Sequence, residues 1–527
     1  MGFKIQDRPI LFGQIVGIVL VSIFLYVKSN GETIFTALFW IAQDMVIVAK
    51  IIREGTYQLM IIITILFSFV LVYLSKNINN EIYKKNIIFL GSVCSNIFMC
   101  FSVIFFMLNS GFFFGALVTI PFLIGCGLIL STLTQNLFNN NKSVFLKLSN
   151  CIYFLIILLL ILPNFSSVVG MLPEPPNNNG NYFGNGGDYS VEKTKIKINP
   201  EDFIFENMSE WSKEYDWNVY VFTPNPIPEN MPLVIYIHGY EGEEEWVYTD
   251  SLETMASRGV AVIFPQYASN YDVSEYDPEM LIYEEGGSNH PQHEWRYSMT
   301  WDGIELGINY LESNYDEFDP SNLWVGGHSM GAGVSMYVVT KAINEGWGSN
   351  SLIFNLEAPW VYSNYEPFKG NMSYLPDHTI VNVVEYEDDN VVKRCVGVWE
   401  FNRIKTKDGF GELNDSRVKY LKVYSDRSGF PKLIASHYIQ ATTIRDSLAD
   451  FSYYKRIDAQ AHYLFGVANE DLNAITLAGK YFFGDDDDLT NMGSWSNGVS
   501  VREIDVYDDP FNSNLYECKS NPGSDLF

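Results

Sequence analysis

The chain has 527 residues, too many for one ordinary domain, and carries 62 Asp/Glu against 34 Lys/Arg, a formal net charge of −28 at pH 7. So acidic a chain argues against nucleic acid and anionic lipid headgroups as partners, since both need clustered Lys/Arg. The charge is unevenly shared: residues 1–171 hold ten Lys/Arg and five Asp/Glu, leaving 57 of the 62 acidic residues beyond them.

Apolar runs fall near 9–27, 34–51, 58–75, 87–108, 111–132 and 150–170. A helix needs ~20 apolar residues to cross a hydrocarbon core, so these runs predict an α-helical transmembrane region, 1–171, of five or six spans. The second run is the weakest, because Gln43 and Asp44 interrupt it. Lys76, Lys84 and Lys85 in one loop and Lys142 and Lys147 in another place those loops in the cytoplasm by the positive-inside rule. The expectation is an integral, multi-pass, membrane-embedded protein whose later domain lies on the extracytoplasmic side. No cleavable signal peptide is evident, and the spans carry no Walker loop or HExxH, so they read as an anchor. Cys395 and Cys518 are the two cysteines beyond this region, and an oxidising location permits a disulfide between them.

Residues 172–194 are rich in Pro, Asn and Gly, the composition of a flexible linker. From 195 to 470, strand-like runs alternate with helical ones, which predicts an α/β domain with a mostly parallel sheet and helices on both faces. Strands are expected at Trp217–Phe222, Leu233–Ile237, Val260–Phe264, Leu323–Gly326, Leu352–Leu356, Ile380–Val384 and Val418–Val423. Helices are expected at 248–258, 298–313, 331–344, 391–403 and after 437. Residues 471–527 read as an acidic C-terminal extension, whose run Asp485–Asp488 lacks EF-hand spacing and reads as a solvated loop.

Between the fourth strand and the helix after it lies Gly327-His328-Ser329-Met330-Gly331, a GxSxG sequence. A strand that turns sharply into a helix at a serine lifts the hydroxyl out of the sheet. A strand ending in Glu387-Asp388-Asp389 follows, and beyond it only His437 and His462 remain of the seven histidines. This order of strand, serine, acid and histidine resembles the α/β-hydrolases over roughly residues 215–465.

The resemblance implies Ser329 as nucleophile, Asp389 as acid with Asp388 and Glu387 as alternatives, and His437 as base. The segment around His437, Ala435-Ser436-His437, is similar to that of polyester-hydrolase and dienelactone-hydrolase relatives, whereas His462 falls in a helical pattern. By the same resemblance the backbone N–H groups of Tyr240 and Met330 form the oxyanion hole. Tyr240 and Trp360 match positions of an aromatic clamp in cutinase-like polyester hydrolases. Residues 268–298 stand as an insertion relative to compact members. Within it His290, His293 and Glu294 lack a metalloprotease order, so no metal and no cofactor is expected.

The function implied is a membrane-anchored serine hydrolase acting on a small-molecule, lipid or polymeric carboxylic ester. Two alternatives stay open at this point: acyl transfer to a lipid or glycan acceptor, and a non-catalytic binding or sensor protein on a hydrolase scaffold. The oligomeric state is not readable from the sequence.

Overall fold

The structure, a computed structural model, describes residues 9–28, 78–93, 97, 173–178, 180–198, 216–269, 291–360, 370–389, 391–429, 432–483 and 487–510. The chain divides into two compact units, Met1–Leu172 and Pro173–Phe527.

The first unit corrects the expectation of a transmembrane region. Among the described residues no helix is long and apolar enough to cross a membrane. That does not fit an integral multi-pass protein with its later domain outside. Helix α1 (Pro9–Lys28) turns part of its surface to a neighbouring helix instead. A side chain added at Gly13 would meet Phe89 O at 2.6 Å and Ser92 Cβ at 2.7 Å in helical residues 81–93, and Gln14 and Val21 are buried. Hydropathy counts apolar residues without telling whether lipid or another helix will cover them. The runs at 34–51, 58–75, 111–132 and 150–170 lie outside the described residues.

The second unit is built on one nine-stranded, mostly parallel sheet. Its strands are β1 (Ser190–Lys197), β2 (Asn218–Asn225), β3 (Met231–Ile237), β4 (Ala261–Pro265), β5 (Phe318–His328), β6 (Ser351–Glu357), β7 (Ile380–Tyr386), β8 (Val418–Val423) and β9 (Asp505–Tyr507). They lie in the order β1-β2-β4-β3-β5-β6-β7-β8-β9. Strands β4, β3, β5, β6, β7 and β8 run parallel, and β1, β2 and β9 join antiparallel at the edges.

Alternation along the central strands feeds two cores, as a sheet covered on both faces requires. Leu233, Ile235, Ile237, Leu323 and Val325 face one side. There they pack against α3 (Pro291–Asn314), α4 (Met330–Asn344) and α5 (Arg394–Lys405). Val234, Tyr236 and Trp324 face the other, against α2 (Thr249–Ala256) and α6 (Lys455–Ala468). The helical pattern around His462 is part of α6. Cys395, near the start of α5, is disulfide-bonded, and Cys518 lies outside the described residues.

The Asn/Gly-rich stretch read as a flexible linker is tied to the domain. Phe183 is fully buried, and the N–H groups of Gly184 and Gly186 donate to Asp458 Oδ2 at 2.7 and 3.1 Å. Arg258 pairs with the same carboxylate at 2.6 Å and donates to Tyr182 O, while Arg445 donates to Gly184 O. Composition signals backbone freedom here, yet exposed glycine N–H groups are also what a buried carboxylate can gather.

Asp458→Asn leaves the buried Arg258 guanidinium without its counter-charge, a change that costs about 3 to 5 kcal/mol for such pairs. Urea denaturation should show that loss, with faster proteolysis between residues 178 and 189; an unchanged midpoint would contradict the clamp.

Candidate active site

Because β3 and β5 to β8 are parallel, the loops that follow them gather at one end of the sheet. Ser329 follows β5, the loop 238–242 follows β3, Trp360 follows β6, Asp389 follows β7 and His437 lies on the chain after β8.

Ser329 adopts φ 56° and ψ −120° and immediately precedes α4. This left-handed backbone is unusual for a residue with a Cβ and is one that a nucleophile elbow requires. The glycines on either side make it possible. A Cβ at Gly327 would collide with Ile237 O, and one at Gly331 with Ile237 O and His238 O, so β3 can approach the turn only if both positions lack side chains. Three backbone bonds hold the serine, with Ser329 N donating to Glu357 O at 2.8 Å and Ser329 O accepting from Trp360 N at 3.0 Å and from Gly333 N at 3.2 Å.

His437 and Asp389 meet with Nδ1 and Oδ2 2.7 Å apart, and both side chains are nearly fully buried. The other carboxylate oxygen of Asp389 accepts from the N–H groups of Val391 and Val392 at 2.8 and 2.9 Å, which fixes the carboxylate plane. Its two neighbours are engaged elsewhere. Asp388 accepts from Ser425 Oγ and Arg427, and Glu387 accepts from Ser425 N and Arg502. Among the three acids, it is Asp389 that the structure brings to His437. The His437 ring lies 4.7 Å from that of His328, the residue preceding Ser329.

The loop after β3 presents the peptide between Gly239 and Tyr240. Gly239 O accepts from His238 Nδ1 at 2.8 Å and from Gly242 N at 3.1 Å. In a trans peptide the N–H of the next residue points opposite to that carbonyl, so these bonds set the direction of the Tyr240 N–H. A Cβ on Gly239 would lie 3.3 Å from Ser329 Cβ, which places the loop directly against the serine. His238 is buried, stacked on Tyr267 at 4.0 Å and accepting from Tyr267 N at Nε2. Burial pushes its pKa down to about 3, so it stays neutral with its hydrogen on Nδ1. Met330 opens α4, where the first N–H groups of a helix have no intrahelical partner.

Apolar side chains rim this end of the sheet. Tyr240 and Tyr438 are each about half exposed, at 49% and 50%. Tyr438 sets its ring edge-on to His437, and Trp360, like Trp399, packs against the pair Val392 and Val396. The sequence assigns no role to Tyr438, Tyr248 or His328. A Tyr directly after the expected base was the one available signal among them. His290 and residues 270–289 lie outside the described residues, as do the side chains of His293 and Glu294. His462 stacks with Phe465 in α6 and makes ring contacts with Phe183 and Tyr182.

No family model matches the chain, and no curated protein does. One similar solved structure comes from a structural analysis of two fungal esterases from Rhizomucor miehei. It is 12% identical, covers 55% of this chain and 87% of its own, and has a TM-score of 0.33. A likeness this weak carries no argument about fold or activity.

Removing a carboxylate that orients a catalytic histidine costs on the order of 10⁴ in kcat. On the serine-hydrolase reading proposed below, Asp389→Asn should therefore cut ester turnover by about that factor, and Asp388→Asn should leave it within about tenfold; equal losses in steady-state assays would contradict the pairing.

Glu243, beside this loop, is buried and accepts from Ser269 Oγ and Ser269 N, with Glu241 close by and Arg296 donating to Ser269 O. Burial pushes its carboxyl up to about 7 from an ordinary value of 4.5. A pKa raised on folding adds stability below the unfolded value, and that contribution is lost as pH rises through about 7. Glu243→Gln cannot ionise, so its melting temperature should gain on the wild type between about pH 5 and pH 8; a pH-independent difference would refute the assignment.

Proposed function

We propose that the second unit is a serine hydrolase acting on carboxylic esters through a Ser329, His437 and Asp389 triad. The observation that carries this reading is the 2.7 Å contact between His437 Nδ1 and Asp389 Oδ2 at the same end of the sheet as the left-handed turn of Ser329. A carboxylate at Nδ1 leaves Nε2 as the imidazole atom able to take a proton from a serine hydroxyl.

In this mechanism Ser329 Oγ attacks the acyl carbonyl while His437 accepts its proton. Asp389 holds the imidazole orientation and offsets the imidazolium charge. The N–H groups of Tyr240 and Met330 receive the developing oxyanion, whose stabilisation by such donors is worth about 10² to 10³ per donor. His437 then protonates the leaving alcohol, and water, activated by the same histidine, releases the acid. The aromatic rim of Tyr240, Tyr438 and Trp360 supports an apolar acyl or aryl group as the part bound nearest the serine. Small-molecule, lipid and polymeric esters all carry such groups.

A fluorophosphonate probe tests the reading directly, because it reacts with a serine activated by a neighbouring base. The wild-type chain should label, while Ser329→Ala and His437→Ala should not, and ester turnover should fall at least about 10³-fold in both variants. Labelling that persists in Ser329→Ala, or none in a folded wild type, would sink the proposal and return weight to a non-catalytic scaffold.

A further inference from the structure

Two buried side chains outside the triad join the loops that carry the oxyanion donor, the nucleophile and the base. Tyr248, just before α2, lies with its Oη 3.1 Å from Gly239 N and 3.0 Å from His328 Nδ1. His328 Nε2 in turn lies 2.7 Å from the backbone oxygen of His437. Each hydrogen in this chain has one consistent position. A carbonyl oxygen only accepts, so His328 Nε2 carries the ring hydrogen, and in a neutral imidazole Nδ1 is then an acceptor. Nδ1 therefore takes the hydroxyl hydrogen of Tyr248, and the same hydroxyl oxygen accepts from Gly239 N–H.

Burial, with the nearby His437, holds His328 well below the ordinary histidine range, and burial raises the Tyr248 hydroxyl. Neither group changes charge at neutral pH.

We infer that Tyr248, acting through His328, is a positioning residue that holds the oxyanion loop and the base loop in register across the nucleophile turn. The inference rests on the hydrolase reading above. At one end the relay fixes the Gly239 amide, one peptide before the Tyr240 N–H. At the other it fixes the His437 carbonyl, and with it the backbone from which the imidazole reaches Asp389. Between them stands His328, covalently next to Ser329. The ring of Tyr248 is located separately, by contacts with Tyr236 at 5.3 Å and Phe264 at 6.0 Å between centroids. Tyr248→Phe therefore removes the hydroxyl while those contacts remain.

The relay acts on geometry needed in the transition state, and its hydrogen bonds run to Gly239, His328 and the His437 backbone rather than to the side chains of Tyr240, Tyr438 or Trp360. Losing it should lower kcat and leave KM nearly constant, because interactions realised only in the transition state appear in kcat.

The test uses the full chain, p-nitrophenyl butyrate as substrate, and a fluorophosphonate both as active-site titrant and as a probe of acylation rate. Tyr248→Phe should lose about 10- to 100-fold in kcat per titrated site and a similar factor in labelling rate, below the cost of deleting a donor outright. KM should stay within about threefold. His328→Gln, whose amide can still donate to the His437 carbonyl, should retain more activity than His328→Leu, which cannot.

Nitrogen-15 spectra should show His328 as the Nε2–H tautomer in the wild type and a shifted population in Tyr248→Phe. A Tyr248→Phe enzyme with wild-type kcat per site and unchanged His328 signals would overturn the relay while leaving the hydrolase reading intact. Equal activities of the two His328 variants would overturn it independently of how Tyr248→Phe folds. A wild type that fails to label would instead remove the hydrolase reading, and the relay with it.

Discussion

The backbone of Ser329, held at φ 56° and ψ −120°, is the constraint around which the second unit is arranged. A residue bearing a Cβ enters this region only when its surroundings impose it. Here β3 presses Ile237 O and His238 O against Gly327 and Gly331 from one side, while Glu357 O accepts the Ser329 N–H from the other. Strands β3, β5 and β6 must be adjacent and parallel for these contacts to coexist, and they are.

The same constraint reaches the acid through Glu357. Its backbone oxygen holds Ser329, and its buried carboxylate accepts from Tyr386 Oη at 2.5 Å and from Arg456 at 2.6 Å. Tyr386 O then accepts the Asp389 N–H at 3.1 Å. One buried ion pair, with Asn355 bridging both partners, thus sets the heights of serine and acid relative to each other. Buried pairs of this kind add little net stability compared with apolar packing, and geometric definition is the better account of their value at this site. Together with the Tyr248 and His328 relay, every loop that bears a candidate reacting group is tied to Ser329 or to its immediate neighbours.

The parallel strands were legible in the sequence because residues such as Leu233–Ile237 and Ala261–Phe264 are apolar on both faces, the signature of a sheet covered by helices. Strand β1 was not, since SVEKTKIK alternates charges along an exposed antiparallel edge, and β9 is only three residues long. The GxSxG turn was readable from its glycines. The sequence does not separate Asp389 from Asp388 by any local period, because the geometry of that loop is decided by the N–H groups of Val391 and Val392. Tyr248 left no trace, because a partner nine residues from Gly239 and 80 from His328 follows no local period. Among the described residues of 1–171 the reading as membrane spans fails for a related reason: apolar content does not specify what covers it.

The most direct measurement is a crystal structure of the chain after reaction with a fluorophosphonate. The account predicts phosphorus bonded to Ser329 Oγ, with the phosphonyl oxygen within about 3 Å of the N–H groups of both Tyr240 and Met330 and His437 still paired with Asp389. An adduct on another residue, or a phosphonyl oxygen turned away from those two N–H groups, would contradict it.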